Sequence, residues 1–207
     1  MLSELFYECL NAVYVHSKSD LSYCVRRRGG TMYIFFEASN GAADWHRNLD
    51  FPAKAYKRMG MTVWFAHRGF IDAWHELEGL LSEKIADVSV KKIVLTGYSH
   101  GAAIALLCHE YVWFTRPDLR ASLEGYGFGC PRVIWGTPGS DIRHRWDNFT
   151  VIRNIDDAVT HVPPALLGYI HVGKMLEIGE RGKYSKIDAH RPENITIELE
   201  AYEASRQ

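Results

Sequence analysis

A chain of 207 residues is long enough for one substantial hydrophobic core and short for two, so a single domain over residues 1–207 is expected. Its 47% apolar and 24% charged residues exclude a disordered chain, and a formal net charge of −1 gives no reason to expect a nucleic-acid partner. No run of 18 apolar residues is present, so no transmembrane segment is expected.

Apolar residues at Leu2, Leu5, Phe6, Cys9, Leu10, Val13 and Tyr14 fit one face of an N-terminal helix. Glu4 and Glu8 lie within it and no basic segment precedes it, so it does not read as a signal peptide, and a cytoplasmic location is expected. The four cysteines, Cys9, Cys24, Cys108 and Cys130, have no C-x-x-C spacing and are expected as free thiols. Leu21–Val25 and Thr31–Phe36 read as strands joined by a solvated turn over Arg26-Arg27-Arg28-Gly29-Gly30. Met61–Phe65 is a third strand, rich in β-formers. From Phe70 to Ile85 the apolar residues recur at three and four, which predicts an amphipathic helix. Lys92–Thr96 is a short apolar run suited to a strand buried on both faces. A largely apolar helix over His100–Phe114 follows, then strands at Leu123–Phe128 and Phe149–Arg153 and a late edge strand at Lys174–Ile178. Pro192 to Ile195 reads as the opening of a last helix. Strand and helix alternate, which predicts an α/β sheet with helices on its faces.

Between the buried strand and the apolar helix stands Gly97-Tyr98-Ser99-His100-Gly101. A bare G-x-S-x-G arises by chance often; the strand before it and the helix after it give this copy its weight. Lifting a serine out of a sheet requires a sharp, strained turn, and the residues two before and two after must be small, glycine or alanine. The turn leaves Ser99 at a helix N-terminus, where free N–H groups favour developing negative charge. That arrangement is the nucleophile elbow of the α/β-hydrolase fold, a central, mostly parallel sheet flanked by helices. A serine hydroxyl needs a base and an orienting acid, which in this fold follow in the order Ser, Asp or Glu, His. Downstream of Ser99 lie Asp156 and Asp157 and the histidines His144, His161, His171 and His190.

Five segments in order, over roughly residues 31 to 195, resemble the class 3 lipase family. They are Phe36-Glu37-Ala38-Ser39 with Asp44-Trp45 and Asn48-Leu49; His67-Arg68-Gly69-Phe70 with Trp74; the elbow; Gly127-Phe128-Gly129-Cys130-Pro131-Arg132-Val133; and Arg153 to Pro164, holding Asp157-Ala158-Val159 and Pro163-Pro164. The resemblance implies Ser99 as nucleophile, Asp157 as the triad acid, and Ser39 in the oxyanion hole beside the backbone N–H of His100. His190 is expected as the base because it follows the last strand, where the fold places its triad histidine. His171, in Tyr169-Ile170-His171-Val172-Gly173, resembles a non-catalytic family segment. The sequence departs from the family at Glu37-Ala38, which replace Arg-Gly, and at His100, which replaces a bulky apolar residue. Residues Ser39 to Asp50, with Trp45, resemble the family's lid. The other five tryptophans, 64, 74, 113, 135 and 146, are read as core.

The expected function is cleavage of carboxylic esters, of lipid or acylglycerol type, through a Ser99–Asp157–His190 triad and an acyl-enzyme. No metal or organic cofactor is required. The expected partners are a small ester or lipid substrate and transient contact with a lipid interface. The alternatives are an inactive lipase-like module that binds a ligand or partner, and a thioesterase or peptidase using the same triad.

Overall fold

Apolar residues on both faces of the middle strands demand cover on both sides, and the chain supplies it in three layers. The computed structural model describes residues 1–17, 21–38 and 52–206. In chain order these form α1 (Leu2–Leu10), β1 (Val15–His16), β2 (Ser22–Arg28), β3 (Thr31–Phe36), β4 (Ala53–Arg58), β5 (Met61–His67), α2 (Arg68–Ile85), β6 (Lys92–Tyr98) and α3 (His100–Thr115). Then follow β7 (Leu123–Phe128), β8 (Ile134–Trp135), the short α4 (Ser140–Arg143), β9 (Phe149–Asn154), β10 (Tyr169–Ile170), β11 (Lys174–Ile178) and α5 (Pro192–Ala204).

Among the described residues the main sheet has seven strands in the order β1-β2-β3-β6-β7-β9-β11. β1, β2 and β3 pair antiparallel, and from β3 onward every pairing is parallel, with β11 at the edge beside β9. Alternation along the strands divides the core. Met32, Ile34 and Phe36 of β3, Ile93 and Leu95 of β6, and Phe149 and Val151 of β9 join the large cluster that includes α2 and α3. Phe128 of β7 and Ile152 of β9 face the other way, where Phe6 of α1 and Ile195 and Leu199 of α5 cover them. Helix α3 is buried from Gly101 to Glu110, as expected of a helix apolar nearly all round, here wedged between α2 and the sheet.

Several expectations need correction. Helix α1 stops at Leu10, where Asn11 leaves helical geometry at φ −110° and ψ 17° while its backbone and side-chain N–H groups donate to the Tyr7 carbonyl; Val13 is left exposed, although its spacing fits the helix. Arg26, Arg27 and Arg28 lie in β2 and not in the turn, which is Gly29-Gly30; Arg26 and Arg28 reach Glu8 and Arg27 reaches Asp87. β6 continues two residues past Thr96, so Gly97 and Tyr98 belong to the strand. A second sheet, β10-β8-β5-β4, is absent from the sequence reading: β4 is lysine-rich, and β8 and β10 are two residues each. Trp64, Trp74 and Trp146 are core, whereas Trp135 is 40% exposed.

Candidate active site

The elbow follows from the steric demand of leaving β6 for α3 at once. Ser99 has φ 55° and ψ −120°, a conformation that costs a non-glycine residue roughly 1–3 kcal/mol, and its N–H donates to the Phe128 carbonyl at 2.9 Å. A methyl group on Gly97 would overlap the backbone of Gly101, and one on Gly101 would overlap the backbone of Phe36 and Glu37. Alanine therefore does not fit at either position, which narrows the expectation of glycine or alanine. The second overlap also shows what the smallness of Gly101 achieves. It lets the end of β3 pass directly against the elbow.

Parallel strands bring their carboxyl ends to one edge, and the loops leaving that edge gather the site. Ser99 follows β6, Gly129 follows β7, Asp157 follows β9, and His190 lies on the loop between β11 and α5. His190 Nε2 is 2.9 Å from Ser99 Oγ, and its Nδ1 is 2.8 Å from Asp157 Oδ2. A carboxylate only accepts, so Nδ1 carries the proton and Nε2 is left to accept from the Ser99 hydroxyl. Ser99 is 1% exposed and Asp157 0% exposed.

Asp157 is fixed by its own loop. Asp157 Oδ1 accepts the Val159 N–H at 2.8 Å, its carbonyl accepts the Thr160 hydroxyl at 2.8 Å, and its N–H donates to the Asn154 carbonyl at 3.0 Å. Asp156 points the other way, with Oδ2 accepting the Gly182 N–H. His171 braces the same loop from behind through Nε2, 2.8 Å from the Thr160 carbonyl, and burial holds its pKa down to about 4. His144 lies against the Ser140 carbonyl and His161 against Arg132, so neither approaches Ser99 through these contacts.

Two residues that hold His190 in place were not singled out by sequence reasoning. Tyr98 donates its hydroxyl to the His190 carbonyl at 2.7 Å, and the two rings stack with centroids 5.1 Å apart. Burial, then the charge of Asp157, pushes the Tyr98 hydroxyl pKa up, which keeps it a donor. Gly129, at φ +58°, lies beneath the His190 ring; an added Cβ would stand 2.7 Å from Cε1 and 2.9 Å from Nδ1. The signal for Gly129 was its place in the fourth segment; Tyr98, at a variable position of the elbow, carried none.

Of the two expected oxyanion donors, His100 opens α3, where the first N–H has no partner within the helix. Its ring packs 5.5 Å from Phe70, and burial, then the nearby His67, lowers its pKa to about 4, so the side chain is neutral near pH 7. Ser39 lies outside the described residues, two positions beyond the Glu37 backbone that meets Gly101. The lid expectation for Ser39 to Asp50, Trp45 included, also lies outside them. All four cysteines are free and buried, and burial pushes the Cys9 thiol up to about 12. Among the described residues no group of three His, Cys, Asp or Glu side chains is arranged to hold a metal, and no helix is long and apolar enough to cross a membrane.

Known proteins resemble both the sequence and this arrangement. A lipase of Rhizomucor miehei is 31% identical over 157 residues, which is 70% of this chain and 40% of that protein. A lipase of Rhizopus niveus is 27% identical over 149 residues, 69% of this chain and 37% of that one, so the chain spans well under half the length of these curated relatives. A solved triacylglycerol lipase whose catalytic centre is a serine-protease triad superposes with a TM-score of 0.67 at 25% identity, covering 81% of this chain and 66% of that one. The lipase of Rhizopus microsporus var. chinensis, at 23% identity and a TM-score of 0.70, covers 89% and 68% and supports the α/β-hydrolase fold. The family profile for lipase (class 3) matches residues 33–167, from β3 through the elbow and the Asp157 loop, and the chain belongs to that family.

Proposed function

We propose that the chain hydrolyses carboxylic esters of lipids, with acylglycerols as the substrate class, through an acyl-enzyme on Ser99. The observation that carries this reading is the continuous relay from Ser99 Oγ to His190 Nε2 at 2.9 Å and from His190 Nδ1 to Asp157 Oδ2 at 2.8 Å. Family membership and the triacylglycerol lipases among the similar structures support the choice of lipid esters.

In the first half-reaction His190 Nε2 takes the Ser99 proton as Oγ bonds to the ester carbonyl carbon, and the carbonyl π pair moves onto oxygen. The His100 N–H, with a second donor from Ser39, meets that oxyanion; such donors contribute roughly 3 kcal/mol each in related chemistry. Asp157 holds the imidazole in the tautomer the step needs and faces the imidazolium that forms. When the tetrahedral carbon collapses, the C–O bond to the alcohol breaks and the alcohol oxygen takes the proton from Nε2. Water then repeats the sequence against the acyl-Ser99 ester, releasing the acid and restoring the serine.

The test is a panel of nitrophenyl esters from acetate to palmitate, run beside an emulsified triacylglycerol, a thioester and a peptide. Hydrolysis of the oxygen esters and the emulsion is expected. Cleavage of the thioester or peptide with no oxygen ester turned over contradicts the proposal, as does inertness towards the whole panel.

A further inference from the structure

The loop that carries Asp157 and the loop that leads to His190 meet where the Ala158 N–H donates to the Lys186 carbonyl at 3.1 Å. Between them is a cavity of about 390 Å³ lined by Ile155, Asp156, Ala158, His161, Arg181 and Lys186. Asp156 is the one acid in that lining, and its carboxylate already accepts the Gly182 N–H. The side chains of Arg181 and Lys186 make no hydrogen bond or ion pair among the described residues. Arg132 stands at the edge of the same ground, its guanidinium donating to the carbonyls of His161 and Pro163 and lying 3.3 Å from His161 Nδ1. No carboxylate among the described residues pairs with it, whereas neighbouring Arg153 is held by Glu177. Burial, then the fields of Arg153 and Arg132, depress the pKa of His161, and Lys186 acts in the same direction against the opposing charge of Asp157. In a chain of net charge −1, this is a local excess of positive charge.

The same two loops expose large apolar side chains. Ile187, next to Lys186, is 76% exposed. Leu166 is 99% exposed and Leu167 51%, on a single turn from Ala165 to Leu167 closed by Gly168 at φ +86°. The Leu167 carbonyl accepts Trp135 Nε1 at 2.9 Å, and half-exposed Trp135 meets Phe65 edge to face at 5.8 Å. Exposed large apolar side chains on loops that also carry unpaired cations suit an interaction surface, and the pairing of the two matches an interface of acyl chains beneath anionic head groups.

We propose that these two loops, carrying the acid and the base of the triad, form a docking face for an anionic phospholipid surface. Leu166, Leu167 and Ile187 enter the outer acyl region, while Arg132, Arg181 and Lys186 meet head-group phosphates. Docking there turns the carboxyl edge of the sheet, where Ser99 follows β6, towards the plane that holds the ester bonds. The inference rests on the lipid-ester reading above but is tested without turnover. The side chains of Arg181, Lys186, Leu166 and Leu167 make no hydrogen bond to Ser99, His190 or Asp157 among the described residues, and Ile187 meets His190 through its backbone carbonyl, which accepts the His190 N–H at 3.1 Å.

The measurement is co-sedimentation of the whole chain with vesicles of ether-linked phosphatidylcholine, alone or with a third of ether-linked phosphatidylglycerol. These lipids cannot be hydrolysed, so binding and catalysis are read separately. The chain should partition onto the phosphatidylglycerol vesicles and scarcely onto pure phosphatidylcholine, with binding falling as salt rises. The double variant Arg181→Glu, Lys186→Glu should lose partitioning by roughly twentyfold or more, since each basic residue near such a surface contributes about fivefold. Leu166→Ser with Leu167→Ser should weaken it as well, with the melting temperature checked for each variant. Equal binding to both vesicle types, indifference to salt, or wild-type binding by the charge-reversal variant overturns the proposal. So does a stable dimer in solution that the Leu166 and Leu167 changes dissolve, because the occupant is then a second copy. Loss of ester hydrolysis with vesicle binding intact counts against the function proposed above and not against this face.

Discussion

The hydroxyl of Tyr98 donates to the backbone carbonyl of His190 at 2.7 Å, so the residue immediately before Ser99 holds the residue whose imidazole faces it. Ser99 and His190 come from turns far apart in sequence, and their separation depends on how each is anchored to the sheet edge. The Tyr98 side chain ties β6 directly to the His190 turn. In Tyr98→Phe the ring stack remains and the hydrogen bond is lost, a change of about 1 kcal/mol. The expected result is a fall in kcat of roughly fivefold with KM nearly unchanged. A thermal melt that shifts with no change in kcat would assign Tyr98 a purely structural role.

Asp156 and Asp157 differ by one position and by everything around them. Asp157 is buried against His190, and Asp156 accepts a loop N–H on the other side of the strand end. Asp157→Asn keeps an oxygen for the Val159 N–H but favours the wrong imidazole tautomer, and kcat should fall by about 10³-fold or more. Asp156→Asn should cost no more than a few-fold. Steady-state kinetics on a soluble nitrophenyl ester compares them, and the reverse order would reassign the acid.

Gly129 offers a way to move the base without touching it. An alanine there meets the His190 ring at 2.7 Å and also strains the backbone at φ +58°. Gly136, at φ +81° with open space around its missing Cβ, bears the strain alone. Gly129→Ala should lower kcat by roughly 10-fold or more, while Gly136→Ala should lose about 1 kcal/mol of stability and keep its turnover. Equal kcat in the two variants would remove Gly129 from the positioning of His190.

Three histidines, His109 buried and His100 and His171 half-buried, make the fold sensitive to acid. Burial lowers the pKa of His109 to about 3 and of His100 and His171 to about 4, below the value near 6.5 of an unfolded imidazole. Above that unfolded value both states are neutral and the full stability is present. As the pH falls towards 4 the unfolded chain takes up protons that the folded chain refuses, so each group removes about 1.4 kcal/mol per pH unit. Urea unfolding from pH 7 to pH 4 should show a steep loss that begins near pH 6.5. A flat profile over that range would contradict the burial of these rings as neutral groups.

Much of this arrangement is legible in the residues themselves. The elbow announces itself because strand, turn and helix each leave a local mark within Lys92–Phe114. The parallel strands β6, β7 and β9 are apolar enough to stand out, and Asp157 lies in a recognisable segment. The small second sheet is not legible, because β4, with Lys54, Lys57 and Arg58, lacks an apolar face and breaks register between Tyr56 and Lys57. Helix α1 reads too long because amphipathic spacing persists past Asn11, the residue at which the backbone leaves helical geometry. The partnerships of Tyr98 and Gly129 with His190 join residues 92 and 61 positions apart, and only the topology of the sheet creates them.

The central claim is that Ser99 is a nucleophile activated by His190. The most direct measurement is the stoichiometry and site of labelling by a fluorophosphonate, followed by mass spectrometry alongside residual ester hydrolysis. One phosphonyl group per chain, on Ser99, with activity lost in proportion and no labelling in Ser99→Ala or His190→Ala while His171→Ala still reacts, is the predicted result. An unlabelled wild-type chain, an adduct on another residue, or a folded Ser99→Ala variant with more than a few per cent of the original turnover would contradict it.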